Sequence, residues 1–307
     1  MNKKNNEKLP KIKVWAGTTA HMSLDTRLHK RLVDLLKLEG FDAEYRGDYS
    51  FEDLTNEKMA IVTHHARSAY KYRFTPSQTD AEEIMIDQQT GKISAKVKMF
   101  VTAHNHTTEG TLEIGTIKIL RCPCFTTFIP YGGSLKLLPH YQTDIGAWFI
   151  IVTKEGRIRT QEWLYPSFMY HEEDHRILMA EKSEKSYADP ENYDLEEHLK
   201  TLLTNAQKVI MVVADLHVGE PYAVLPPTYV YNGMTNNLIT TKANDLLFIY
   251  WKHLIYMAKN AFKIDEVWVV GDAFSGGNIF EKTRPSAGIL EYQPYMVVEL
   301  FKLLKNP

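Results

Sequence analysis

Five times along the chain, a short apolar run rich in β-branched residues stops abruptly at side chains able to ligate a metal. The runs are Ile12–Ala16 before GTTAH (Gly17–His21), Met59–Thr63 before His64-His65, and Lys98–Thr102 before AHNH (Ala103–His106). The other two are Lys208–Val213 before ADLHVG (Ala214–Gly219), and Glu266–Val270 before GDAFSGG (Gly271–Gly277). Runs of this length bounded by turn signals predict buried strands. In open α/β sheets ligands bind beyond the carboxyl ends of the strands, so five such tips on one rim predict one site.

Helical spacing lies between the runs. Asp25–Gly40 carries Leu28, Leu32, Leu35, Leu36 and Leu38 and ends at glycine. Asn244–Phe262 is long, aromatic-rich and apolar on more than one face, as expected of a helix wedged against a sheet, and Asp194–Ala206 is amphipathic. Gly115–Leu120 and Ile145–Thr153 predict strands without ligand tips, with YGGS (Tyr131–Ser134) between them. The stretch His171–His198 is strongly acidic and predicts a solvated linker with a helical end. No internal repeat or low-complexity tract is present. The expected class is α/β.

Composition narrows the function. Among 307 residues, 36 Lys and Arg stand against 38 Asp and Glu, so a generally basic surface for nucleic acid is excluded, although a local basic groove is not. No apolar run approaches the length of a membrane span, and Met1–Pro10 lacks the apolar core of a signal peptide; the expectation is a soluble, cytoplasmic protein with no membrane contact. Cys122 and Cys124 flank a single proline and have no second pair, which excludes a disulfide framework. Glycines form neither a G-x-G-x-x-G fingerprint nor a P-loop.

The strand tips carry the candidate chemistry. Asp215 and His217 stand two residues apart, as do His104 and His106; in extended backbone such pairs share a face and reach one ion. Asp272 follows Gly271, where the chain can turn sharply beneath a ligand. His64, favoured over His65, adds another imidazole. Mixed oxygen and nitrogen ligands suit manganese, iron or zinc. Two carboxylates with four imidazoles exceed one tetrahedral ion and fit two ions bridged by an Asp, the arrangement that activates water and clamps a phosphoryl group. Arg67, Lys71, Tyr72 and Arg73 come after the His64 tip and offer phosphate binding or base stacking; a solvated loop accounts for them equally well. His171 and His175 read as a solvated helical turn. His29, His140, His198 and His253 receive no role.

These residues resemble the calcineurin-like metallophosphoesterase superfamily, whose motifs run D-x-H, G-D, G-N-H-D/E, H, then G-H-x-H. The similarity is greatest to phosphoesterases of phages and prophages, in which D-x-H-x-G precedes a Pro-rich loop (here Glu220–Pro227), a Trp-bearing helix (Trp251) and a G-T-x-x-H segment. The order differs: the family's first two motifs stand last and its last three stand first. Moving Asn205–Pro307 ahead of Lys11 restores the family order. The resemblance therefore implies a circularly permuted, four-layer α/β/β/α sandwich of two mixed sheets. Residues 11–165 would form its C-terminal half, 166–204 an acidic connector and helix, and 205–307 its N-terminal half.

Carried over residue by residue, the resemblance implies two divalent ions, manganese first with iron or zinc as alternatives. Asp215, His217 and His106 would hold the first; His64 and His104 would hold the second; Asp272 would bridge them. His21 would protonate the leaving group, a task suited to imidazole near neutral pH. The family's asparagine ligand has no counterpart, and Thr18 or Thr19 stands nearby. Thr18, Arg67 and Arg73 would contact substrate. The implied reaction is hydrolysis of a phosphate ester by a metal-bound hydroxide, with a phosphodiester in nucleic acid or a nucleotide as first substrate class. Alternatives are a phosphomonoesterase, including a protein phosphatase, and a non-catalytic metal-binding scaffold.

Overall fold

The computed structural model describes residues 8–17, 27–64, 75–104, 106–108, 110–127, 143–171, 176–179, 195–220, 222–275 and 290–305. Two mixed sheets dominate it. The first contains β1 (Lys11–Trp15), β2 (Ala43–Gly47), β8 (Ile145–Thr153), β9 (Ile158–Tyr165), β12 (Ala206–Ala214) and β15 (Glu266–Val270) in the order β2-β1-β15-β12-β8-β9. The four strands from β2 to β12 are parallel, while β8 and β9 run antiparallel at one edge. The second sheet contains β3 (Tyr49–Thr55), β4 (Lys58–Thr63), β5 (Val97–Thr102), β6 (Thr111–Ile114) and β7 (Ile117–Arg121) in the order β3-β4-β5-β7-β6. Its central β4, β5 and β7 are parallel.

Side-chain alternation explains how the sheets stack. In β12, Val209, Met211 and Val213 join one core cluster, and Ile210, Val212 and Ala214 join another. A strand buried on both faces needs apolar residues at every position, hence the unbroken apolar run. The second cluster lies between the sheets, where Trp15, Trp148 and Trp268 meet Ala60, Val62, Met99, Val101 and Leu120. The outer face of the first sheet packs on α1 (Arg27–Leu38), α4 (Lys242–Met257) and α5 (Gln293–Lys302). The outer face of the second meets α2 (Thr75–Gln89) through Ala81, Ile84 and Met85. The layers are thus helices, sheet, sheet and helix.

Helices link parallel neighbours: α1 joins β1 to β2, α2 joins β4 to β5, and α4 lies between β12 and β15. Thr241 and Asn244 form a reciprocal capping box that starts α4, and the helix runs on into a π-helical turn, Ala258–Phe262. A short hairpin, β13 (Thr228–Tyr231) and β14 (Met234–Asn237), turns at Asn232-Gly233, both with positive φ. Among the described residues, no helix is long and apolar enough to cross a membrane.

The acidic stretch differs from its expectation as a solvated linker. Part of it pairs: β10 (Phe168–His171) and β11 (Arg176–Met179) form an antiparallel hairpin, and α3 (Leu195–Leu202) is its helical end. The apolar residues of Phe168–His171 and Arg176–Met179 supply two short strands that the surrounding acidic composition obscures. His171 therefore ends a strand and does not lie on a helical turn, and His175 lies outside the described residues.

A buried ion-pair network ties the sheets together away from the ligand-bearing rim. Lys13 Nζ on β1 lies 2.8 Å from Glu52 Oε2 on β3 and 3.0 Å from Glu266 Oε2 on β15. Arg46 donates to Glu52 Oε1 at 2.6 Å, and Lys208 pairs with Glu266 at 2.7 Å. Trp268 Nε1 also donates to Glu266, and Ser50 links Trp15 to Glu52. Every buried charge here has a countercharge within the protein, as burial of ions requires.

Candidate metal centre

Five strand tips meet at one rim. Asp215 follows β12, Asp272 follows β15, His64 follows β4, and His104 and His106 follow β5. The tip of β1 contributes backbone: a Cβ on Gly17 would lie 1.9 Å from Asp272 Oδ1. Gly271 is equally constrained, because φ is +93° and a Cβ would stand 2.3 Å from His64 Cδ2 and 2.4 Å from Asp215 Oδ1. Only glycine leaves room for the donors at either place.

The six donors fall into two groups, His106, Asp215 and His217 in one and His64, His104 and Asp272 in the other. Within each, one donor atom per residue lies within 4.8 Å of the rest. The groups touch: His64 Nε2 is 2.9 Å from Asp215 Oδ1 and 3.6 Å from Asp272 Oδ2, while His106 Nε2 is 3.7 Å from Asp215 Oδ2. Asp215 thus reaches both groups. Its carboxylate accepts the backbone N–H of His104 at 2.7 Å and of Asp272 at 3.0 Å, which fixes its orientation.

The backbone is not extended here. His104, His106, Asp215 and His217 all have positive φ, at 78°, 54°, 47° and 46°. Left-handed backbone is uncommon for residues with a side chain and costs about 1–3 kcal/mol each when enforced. The i, i+2 argument from extended strands therefore does not describe these pairs. Asp215 and His217 still converge on one group, but His104 and His106 diverge to different groups. Backbone zippering holds the two aspartate-bearing loops side by side: His217 donates to the Asp272 carbonyl at 2.9 Å, and Val218 to Ala273 at 3.1 Å.

Electrostatics reflect the burial of two carboxylates among four imidazoles. Burial alone would raise Asp215, but His64, His106 and His217 outweigh it and hold the acid well below the ordinary carboxylate range. Burial pulls His64 down, and the Asp215 and Asp272 carboxylates more than compensate, leaving it raised. His217 is likewise opposed by burial but is pushed up to about 9, chiefly by Glu220, whose Oε1 lies 3.6 Å from Nδ1. His106 goes the other way, lowered by burial to about 4 against the pull of Asp215. His217 Nε2 faces His106 Nε2 at 3.1 Å, close enough for one ring to donate to the other.

This donor set fits a divalent transition ion at each group. Two carboxylates and four imidazoles are borderline ligands suited to manganese, iron or zinc, and the two glycines keep their approach open. Cys122 and Cys124 are buried and free, with thiol pKa values raised by burial, and neither belongs to the two groups. Thr18, Thr19, His21, His65, Arg67 and Arg73 lie outside the described residues.

Two contributors escaped the reading of the sequence. Glu220 comes directly after the D-x-H-x-G run and backs His217; a carboxylate one turn beyond a histidine was its only signal. His29 lies behind Gly271, and its signal was a polar residue inside the apolar stripe of α1. Comparisons with protein-family models, curated proteins and solved structures return no match.

Proposed function

We propose that the protein is a dinuclear-metal phosphoesterase of the calcineurin-like kind, circularly permuted, acting first on phosphodiesters such as nucleic acid or nucleotides. One observation carries the reading: two carboxylates and four imidazoles from four strand tips gather into two adjacent three-residue groups at one rim. His106, Asp215 and His217 would hold one ion, and His64, His104 and Asp272 the other. Bound there, two divalent cations would supply Lewis acidity toward a phosphoryl oxygen and lower the pKa of water.

The chain's own groups have separable tasks. Asp215 and Asp272 bring the negative charge that draws cations into a buried site. Backbone donors from His104 and Asp272 hold the Asp215 carboxylate in place before any ion arrives. Glu220 Oε1 lies 3.6 Å from the outer nitrogen of His217 as its countercharge, and Nε2 faces inward. His21 is proposed as the proton donor to the departing oxygen, with Thr18, Arg67 and Arg73 as substrate contacts.

Connectivity supports the permutation. In space the parallel strands run β12-β15-β1-β2, and α4 and α1 cross between the first and last pairs. Helix α5 comes after β15, so placing residues 205–307 ahead of β1 makes every parallel neighbour consecutive through one helix. That is the normal wiring of parallel sheets. A rearranged chain starting at Asn205 is expected to fold with the same metal affinity.

The direct test compares bis-p-nitrophenyl phosphate with p-nitrophenyl phosphate under added Mn2+. Faster cleavage of the diester is the expected result. Preference for the monoester would replace the diesterase reading with a phosphatase. No turnover of either by metal-loaded protein would favour a binding role.

A further inference from the structure

His29 takes no part in the proposed chemistry, yet it is among the most deeply buried polar side chains, 1% exposed on α1. It lies on the same helical stripe as buried Leu32, Val33 and Leu36. Its ring stands edge-on to Phe274, centroids 4.9 Å apart, and Nε2 lies 3.4 Å from the carbonyl oxygen of Gly271. A carbonyl only accepts, so the contact requires the proton on Nε2.

The peptide to which that carbonyl belongs gives the contact its importance. The Gly271–Asp272 bond is trans, so its carbonyl and its N–H point in opposite directions. The carbonyl faces His29, and the N–H donates to Asp215 Oδ1 at 3.0 Å. Glycine at φ +93° does little by itself to fix the tilt of that plane. Two donors on the carbonyl do: the Ala273 backbone N–H at 2.8 Å and, from α1, the His29 ring at 3.4 Å.

We propose that His29 is a positioning residue: by donating Nε2–H to the Gly271 carbonyl, it fixes the peptide whose N–H orients Asp215 and whose next side chain is Asp272. Helix α1 thereby holds the junction between the two donor groups from behind. The consequence for metal binding rests on the dinuclear reading, whereas the peptide geometry does not. A purely packing role is the competing account, and it predicts that any aromatic ring of similar size serves equally.

The test uses the full chain with His29→Phe, which keeps the edge contact with Phe274 and removes the donor, and His29→Gln, which restores one. His29→Leu is a second donor-free variant should the phenyl ring fail to fit. Amide hydrogen exchange at Asp272, measured without metal, is expected to quicken about tenfold in His29→Phe and to stay near wild type in His29→Gln. In calorimetric titration, Mn2+ affinity is expected to fall about tenfold in His29→Phe and recover in His29→Gln, a typical outer-shell effect. Unchanged Asp272 exchange in folded donor-free variants would overturn the proposal. Wild-type protein that takes up no Mn2+ would overturn the dinuclear reading alone, because the exchange experiment still decides the role of His29.

Discussion

The space between the two sheets buries charge at both of its ends, and the two ends solve the problem differently. Away from the rim, Glu52 and Glu266 are matched by Lys13, Arg46 and Lys208 at 2.6–3.0 Å. That network is closed: each acid meets a permanent cation. At the rim, Asp215 lies against His64 and His106 and accepts two backbone N–H groups, and Asp272 lies 3.6 Å from His64. Four of the six donors there sit in left-handed backbone. On the dinuclear reading proposed above, the left-handed tips and the imidazoles suit the rim to an exchangeable cation.

Mutations at the two ends should therefore fail in different ways. The largest effect is expected for Gly271→Ala, which adds left-handed strain to a 2.3 Å collision with His64. Strain plus overpacking should cost about 4–5 kcal/mol in urea unfolding, with Mn2+ binding gone. Lys13→Met strands Glu52 and Glu266 with fewer partners and should cost about 3–4 kcal/mol. Its Mn2+ affinity should stay at the wild-type value, and a parallel loss of metal binding would break the separation of the two ends.

The third test is acidity. His29 has its pKa lowered to about 4, chiefly by burial, from an ordinary 6.5. The folded state thus binds fewer protons than the unfolded chain between those values, so stability is full above pH 6.5 and falls as pH drops toward 4. The loss should reach about 3 kcal/mol by pH 4. It should be absent from the pH profile of His29→Phe; identical profiles would show that His29 is not buried in its neutral form. The smallest effect is expected for Glu220→Gln, which should weaken Mn2+ binding about tenfold with little change in unfolding free energy.

The strands that build the rim were legible because each is a short, mostly apolar run that ends at a ligand-type side chain. Glu266–Val270 and Ile145–Thr153 match β15 and β8 to the residue, and the other predicted runs lie within one or two residues of observed strands. Edge and hairpin strands were not legible. β3 reads YSFEDLT, with Glu52 buried in an ion pair that periodicity counts as a polar outward position. The β13–β14 hairpin carried a usable signal in Asn232-Gly233 that its polar second strand concealed. Among the residues of helix α2 with described side chains, Ala81, Ile84 and Met85 make a narrow apolar contact, too little for an amphipathic pattern to stand out.

For the site, residue identity was legible and backbone was not. The spacing of Asp215 and His217 announced two donors near each other, but nothing in D-x-H reveals that both residues adopt φ near 47°. The spacing of His104 and His106 likewise does not reveal their positive φ, and the two residues fall in different groups. Left-handed conformation at these tips is imposed by tertiary contacts such as the His104 N–H on Asp215, which no local pattern encodes.

The central claim is that the rim holds two divalent ions through Asp215, Asp272 and four histidines. It is tested most directly by calorimetric titration of the metal-stripped protein with Mn2+, beside Asp272→Asn, with metal content after dialysis measured on the same samples. The account predicts two ions per wild-type chain and the loss of at least one, with affinity for any other greatly weakened, in the mutant. Failure of the wild-type protein to bind Mn2+, Fe2+ or Zn2+, or two ions bound with unchanged affinity by Asp272→Asn, would contradict it.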